Sequence, residues 1–333
     1  METIRWGFIG CGDVTEVKSG PAFQKIEGST ITAVMRRNGD KAKDYAQRHG
    51  IGRWYDDADR LIGDSEVDAV YVATPPGSHA EYTIRALEAG KPVYVEKPMA
   101  VNYDQCREML AASERTGQPL FVAYYRRRLP AFLKVKELID AGTIGSVRLV
   151  NLRLFWPPRE GDTGPDASHW HIQPEISGGG HFFDLAPHQL DYLDYVFGPI
   201  ASVGGQAANQ AGWYEPEDIV TASFTFQSGV LGAGAWCFTV SEESSTDVIE
   251  IVGSEGDIRF PCFGSDPVVV TTASGREEYQ FENPPHVHQP LVETVVRALR
   301  GDGSCPSTGE SGARTAWVMD RIVEEWRGEQ DKG

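Results

Sequence analysis

Over residues 1–123, short apolar runs alternate with amphipathic stretches, and most of the runs end in a loop rich in glycine, proline or charge. Ile4–Ile9 and residues 30–35, 69–73, 92–95 and 120–123 read as strands, with a shorter one around 53–55. Residues 40–49, 79–89 and 103–116 read as helices between them, the last ended by Gly117, and residues 57–63 as one or two helical turns. Strands that alternate with helices over short connections specify a doubly wound parallel sheet. Such sheets bind ligands beyond the carboxyl ends of their strands, and that is where the polar loops of this chain fall.

The first of these loops is Gly10-Cys11-Gly12-Asp13-Val14-Thr15. Gly10 permits a tight turn, and Gly12 lets backbone approach a pyrophosphate at a helix N-terminus. Thr15 stands where a third glycine is expected and would crowd the helix against the strand. Residues 30–35 run into Arg36 and Arg37, at the strand end that meets an adenine ribose. An acid there accepts from a 2′-hydroxyl and an arginine suits a 2′-phosphate, so the pair leans toward NADP over NAD. Thr74-Pro75-Pro76-Gly77-Ser78-His79 is a stiff loop, with Ser78 placed to cap the next helix. Val93-Tyr94-Val95 then delivers Glu96-Lys97-Pro98, in which a rigid strand end can hold Lys97 against a substrate.

Beyond residue 123 the pattern changes. After a helix over 130–141 come longer alternating segments at Val147–Phe155, 201–208, Ile219–Phe226, 230–239 and 245–252, and shorter ones at 257–260, 268–271 and 278–281. Turns such as Gln227-Ser228-Gly229 join neighbouring segments, which implies an open, mostly antiparallel sheet. Helices over 288–299 and 310–326 follow. Two domains are expected, 1–123 and 124–333, in a chain of 333 residues. The net charge of −17 argues against a nucleic-acid partner. No apolar run approaches the ~20 residues that span a bilayer, and the N-terminus carries no signal region. The five cysteines are scattered and odd in number, which suits a reduced, cytoplasmic chain.

Gly178-Gly179-Gly180 precedes His181-Phe182-Phe183-Asp184-Leu185-Ala186-Pro187-His188. The glycines suggest backbone packed tightly against a neighbour, a ligand among the candidates. Asp184 and His188, four apart, share a helix face that Asp191 would extend. Pro187 calls for a first-turn position or a kink. A carboxylate beside an imidazole can orient the ring and handle a proton near neutral pH. The pairs His169/His171 and His286/His288 invite a metal reading, but no cysteine accompanies them and no ligand set completes it, so no metal is expected. Alone, Lys97 also reads as a solvated loop lysine, and His188 as a histidine satisfied locally by Asp184.

Together these residues resemble the Gfo/Idh/MocA family of NAD(P)-dependent oxidoreductases. The resemblance rests on Gly10-Cys11-Gly12, Ala73-Thr74-Pro75-Pro76 with His79, Glu96-Lys97-Pro98, and the glycine run followed by Asp184 and His188. It implies an N-terminal Rossmann domain and a C-terminal α/β domain whose open sheet forms a homodimer or homotetramer interface. It implies hydride transfer between nicotinamide C4 and a carbinol carbon of a sugar, cyclitol or related polyol. Lys97, His188 and Asp184 would be catalytic, with His188 the favoured proton acceptor and Lys97 on the substrate oxygen, though these two roles could be exchanged. Gly10, Cys11, Gly12, Asp13, Val14, Arg36, Arg37, Thr74, Pro75, Pro76, His79, Glu96 and Lys97 would line the cofactor. Tyr125, Arg126, Trp156, Trp170 and His171 are candidates for shaping the substrate pocket, because aromatic faces suit the C–H faces of sugars. The loop 157–174 is the candidate determinant of specificity. Two other readings of the same fold stay open, a non-catalytic NAD(P)-binding regulator and an NAD-assisted glycoside hydrolase.

Overall fold

The computed structural model describes residues 2–163 and 169–330, so residues 164–168 of the candidate specificity loop lie outside the described residues. Met1–Tyr125 and Asn283–Ala313 form one compact unit; Arg126–Glu282 and Arg314–Gly333 form a second.

The first unit is a six-stranded sheet of β1 (Ile4–Ile9), β2 (Ser29–Met35), β3 (Arg53–Tyr55), β4 (Ala69–Val72), β5 (Val93–Val95) and β6 (Leu120–Val122). The order is β3-β2-β1-β4-β5-β6 and every pairing is parallel. This is a Rossmann sheet with its switch point between β1 and β4. The register sets the carboxyl ends level. Ile9 pairs with both Met35 and Val72, and Val72 pairs with Val95. The residues that follow, Gly10, Arg36, Ala73 and Glu96, therefore leave the sheet along one edge.

Phe8, Tyr71 and Tyr94 are neighbours across three strands, and Phe8 and Tyr71 both pack on Phe23, as does Trp6. Phe23 comes from the helix Gly20–Lys25. Burying each such ring contributes about 1.5–3 kcal/mol. Leu291, Val292, Val295 and Val296 of the helix Gln289–Arg300 complete this core. That packing explains a difference from the single boundary at 123/124 read from sequence: the chain returns to the first sheet after residue 282. The return continues where Ser307 Oγ donates to Val122 O at 2.7 Å.

Most helices form where periodicity placed them. Asn38 and Asn102 cap Gly39–Arg48 and Tyr103–Thr116 through their side chains. Ser78 does not cap His79–Glu88. Its hydroxyl donates instead to Thr74 Oγ1 and Pro75 O, within its own 3-10 turn. The helix expected after the glycine turn is present but short, Asp13–Val17, and a second short helix, Gly20–Lys25, follows it that is too brief to show a period in the sequence.

The second unit contains β7 (Val147–Phe155), β8 (Ile200–Ala208), β9 (Ile219–Phe226), β10 (Leu231–Cys237), β11 (Thr246–Gly253), β12 (Gly256–Phe260), β13 (Val268–Thr272) and β14 (Gly275–Tyr279). Their order is β14-β13-β12-β11-β7-β10-β9-β8. Only β7 and β10 run parallel; the other pairings are antiparallel. Inward residues such as Leu152, Leu154, Phe224, Trp236, Ile249 and Ile251 are buried. The helix His181–Phe197 covers that face, with Phe182 edge-on to Trp236 and Gln189 Oε1 accepting from Trp236 Nε1 at 2.7 Å. Pro187 sits inside this helix, beyond its first turn.

Asp191, read from sequence as extending the Asp184–His188 face, is committed elsewhere. Its carboxylate accepts from Arg127 Nε and Nη2 at 2.7 and 2.6 Å in the interior, while Arg314 takes Asp194 at 2.6 Å. The glycine run also packs on the chain itself. A β-carbon on Gly179 would come within 2.3 Å of Phe183, and one on Gly180 within 2.9 Å of Pro216.

Candidate active site

In the first unit the site begins at Gly10. Its φ of +92° is one that L side chains rarely adopt, and a β-carbon there would meet Thr74 Cγ2 at 2.7 Å. The amides of Gly10 and Cys11 both donate to Met35 O, which ties the turn to β2. Cys11 Sγ points inward, and burial pushes its thiol up to about 11, so this residue offers a ligand only its backbone. A β-carbon on Gly12 would meet nothing within 4 Å, so backbone there is open to a phosphate group. Thr15 is fully buried, with its hydroxyl on Gly12 O at 2.7 Å. The close approach between elements falls instead at Gly20, where a β-carbon would stand 2.1 Å from Thr15 O. A threonine at position 15 is thus accommodated by a glycine five residues later.

The two arginines separate. Arg36 is half-buried and its Nη1 donates to Cys11 O at 3.3 Å, beside the glycine turn; Arg37 is exposed. His79 is fully buried, its Nδ1 2.9 Å from Pro98 O and its Nε2 2.6 Å from Thr74 O. Both ring nitrogens face backbone carbonyls, so the imidazole clamps the Thr74 loop to the Lys97-Pro98 turn. Desolvation lowers its pKa, against the pull of those carbonyls. Glu96 is 6% exposed, and its carboxylate accepts from the Tyr71 hydroxyl and from the Lys97 amide at 3.2 Å. Burial, with the Glu96 charge beside it, holds the Tyr71 phenol well above its ordinary range. Lys97 itself is half-buried.

Sequence reasoning missed a role for His288. It is buried beneath the turn, with Nδ1 3.5 Å from Glu96 Oε1 and its ring 4.4 Å from that of Tyr125. His286 lies apart, bonded to Lys25 Nζ and Val17 O at 2.7 Å each. No local signal marks His288, because its partner lies nearly two hundred residues earlier in the chain.

In the second unit Asp184 and His188 stand one turn apart on His181–Phe197. The Asp184 carboxylate lies 3.7 Å from Arg159 Nη1 and 3.8 Å from His171 Nε2. Trp170 stacks on His171 at 3.7 Å. His181 is held by Asp162, whose carboxylate is 2.8 Å from its Nε2, and burial lowers the pKa of that ring. His188 is 3% exposed and meets the ring of Phe263 edge to face at 5.7 Å. Trp156 meets the same ring at 5.1 Å, and the Arg126 guanidinium lies 4.3 Å from its centre. Three residues singled out from sequence thus converge on one that was not. Among the described residues no group of three or more His, Cys, Asp or Glu side chains gathers as metal ligands would.

Two family models match the chain, one described as an oxidoreductase family with an NAD-binding Rossmann fold over residues 4–124, the other as the GFO/IDH/MocA C-terminal domain over residues 132–259. Oxidoreductase P35 of Formosa agariphila is 40% identical over 319 residues, covering 95% of this chain and 97% of that protein. The chain belongs to the Gfo/Idh/MocA family of oxidoreductases. It is an NAD(P)-dependent dehydrogenase or reductase. A 1,5-anhydro-D-fructose reductase of Ensifer adhaerens is 29% identical over 313 residues, 92% of each chain. Levoglucosan dehydrogenase in complex with NADH has the same fold, with a TM-score of 0.89 over 98% of each chain at 23% identity. No helix among the described residues is long and apolar enough to cross a membrane.

Proposed function

We propose that this oxidoreductase acts on a CH–OH or carbonyl carbon of a sugar, cyclitol or related polyol, for which a bound nicotinamide supplies or accepts hydride. The observation that carries this reading is the level row of strand ends, which brings the Gly10 turn, Arg36, the Thr74 loop and Glu96-Lys97 to one edge of the first sheet. The open backbone at Gly12 and the positive φ at Gly10 fit a dinucleotide pyrophosphate. Asp13, Val14, Thr74, Pro75 and Pro76 extend that binding edge. Arg36, already oriented beside the glycine turn, favours a 2′-phosphate and hence NADP, with NAD the alternative; Arg37 adds only peripheral charge.

Lys97 donates to the substrate oxygen, and His188 takes or returns the hydroxyl proton, with Asp184 supporting the imidazole. The two proton-handling roles could be exchanged between Lys97 and His188. Glu96 and His79 act through the turns they hold. Tyr125, Arg126, Trp156, Trp170 and His171 shape the substrate pocket. A sugar substrate is supported by the reductase and dehydrogenase names of the relatives.

A homodimer or homotetramer through the outer face of the second sheet is part of the proposal. That face carries small exposed residues, Thr221, Ser223 and Ala233, beside Leu231 at 53% exposure. A cytoplasmic location is proposed from five free cysteines.

The test is nicotinamide absorbance with NADPH or NADP⁺, and with NADH or NAD⁺, against 1,5-anhydro-D-fructose, levoglucosan, myo-inositol, D-glucose and D-xylose. Turnover of a member of this panel, abolished by Lys97→Ala, supports the reading. Cofactor binding without turnover of any sugar or polyol defeats it.

A further inference from the structure

Phe263 lies on the loop between β12 and β13, about eighty residues from any motif that marks the chemistry. The loop has no regular structure, yet its backbone is fixed. Asp247 Oδ1 accepts from the amide of Cys262 at 3.0 Å, and Oδ2 accepts from the amides of Phe263 and Gly264 at 2.6 and 2.9 Å. Arg126 Nε donates to Cys262 O at 2.9 Å from the other side. Three amides on one carboxylate form a strong, charge-assisted anchor.

The anchor sets one ring. Phe263 is touched by the Arg126 guanidinium and edge-on by Trp156 and His188, yet it stays half-buried rather than sinking into the core. A large apolar ring left partly exposed beside a buried imidazole, with the Arg126 guanidinium over one face, puts apolar surface next to the residue proposed to handle the proton. Folding would more simply bury it, because an exposed ring forgoes part of the stabilisation that burial contributes.

We infer that Phe263 is a specificity-determining residue of the substrate site, presenting its ring to the C–H face of a sugar or cyclitol, and that Asp247 is the positioning residue that holds it there. The inference rests on the functional reading of His188. A pyranose or inositol ring has a face of axial C–H bonds and a rim of hydroxyls. An aromatic face accepts the first, and an acyclic or wholly polar substrate gains little from it. Asp247 touches no substrate; it acts by fixing the backbone from which the ring projects.

The experiment uses the full-length protein with the best cyclic substrate of the panel above, in Phe263→Ala, Phe263→Leu, Phe263→Tyr and Asp247→Asn. Phe263→Ala is expected to raise KM about tenfold, equivalent to about 1.4 kcal/mol, with kcat changed less than about threefold. The dissociation constant for NADPH, read by fluorescence titration, stays within about twofold. Phe263→Tyr restores KM and Phe263→Leu does not, which separates an aromatic face from mere volume. Asp247→Asn raises KM in the same direction while the thermal midpoint stays near that of the parent.

An unchanged KM in Phe263→Ala, or full rescue by leucine, overturns the role of the ring. An Asp247→Asn variant that melts normally and keeps the parental KM overturns the positioning role. Lys97→Ala and His188→Ala run alongside. If they stay active, the functional reading itself fails; if they are inactive and Phe263→Ala is normal, only this inference fails.

Discussion

Arg36 Nη1 donates to the carbonyl oxygen of Cys11 at 3.3 Å. The bond holds the guanidinium beside the turn that a dinucleotide must approach, while Arg37 next to it is exposed. Arg36→Ala is expected to weaken NADPH about tenfold or more, because a charge-assisted contact contributes about 1.5–3 kcal/mol. NADH, which lacks the 2′-phosphate, should lose less than about threefold. Fluorescence titrations of both cofactors check this, and equal losses would show that Arg36 does not read the phosphate.

Lys97→Ala and His188→Ala should each lower kcat by about 100-fold or more, the usual scale of one acid–base contribution. Both variants should still bind NADPH, and Lys97→Ala should melt near the parent, since Lys97 is half-buried and stands in a turn held independently by Glu96 and His79. Near-normal turnover in either variant removes that residue from the proposed chemistry.

Gly20→Ala should destabilise the first unit by about 1–3 kcal/mol. The new methyl would stand 2.1 Å from Thr15 O and 2.7 Å from the Tyr45 hydroxyl, which itself donates to Thr15 O at 2.9 Å. Backbone has to move to admit it. Urea unfolding measures the loss; an alanine tolerated without cost would mean that the two short helices slide freely.

Removing Arg127 should have a cost that grows with pH. Burial pushes the Asp191 carboxyl up to about 6, with Arg127 opposing the shift, whereas an aspartate in an unfolded chain titrates near 3.9. The folded state therefore holds the proton more tightly. That contribution is fully present below about 4 and is lost as pH rises through about 6. Above it an ionised carboxylate sits in the core with Arg127 as its bidentate partner. Arg127→Met should cost about 3–5 kcal/mol at pH 8 and clearly less at pH 5, read from unfolding curves at the two pH values. A cost that does not change with pH would contradict this account.

Several features of the chain could be read residue by residue because they are local. Strand length, helix period, the glycine at a tight turn and the asparagine or glycine at a helix end are all decided by neighbours within a few positions. Tyr103–Thr116, for example, runs between Asn102 and a left-handed Gly117. The alternation of β7 through β11 likewise announces a sheet with one covered face. Ser78 shows where local reasoning ends. Its hydroxyl had a helix to cap and a nearer partner in Thr74, and the backbone of the 3-10 turn decided for the nearer one.

Local pattern specified the two sheet types, the strand ends that carry Gly10, Arg36, Thr74 and Lys97, and the family resemblance those residues bear. Tertiary structure alone decided what each side chain meets across long separations. It returned residues 283–313 to the first sheet, placed His288 under Glu96, gave Asp191 to Arg127, and set Phe263 against His188. The physical reason is that periodicity reports which face of an element is apolar, whereas burial of a polar group requires a specific partner. That partner is chosen by register, packing and loop closure, which no short stretch of chain encodes.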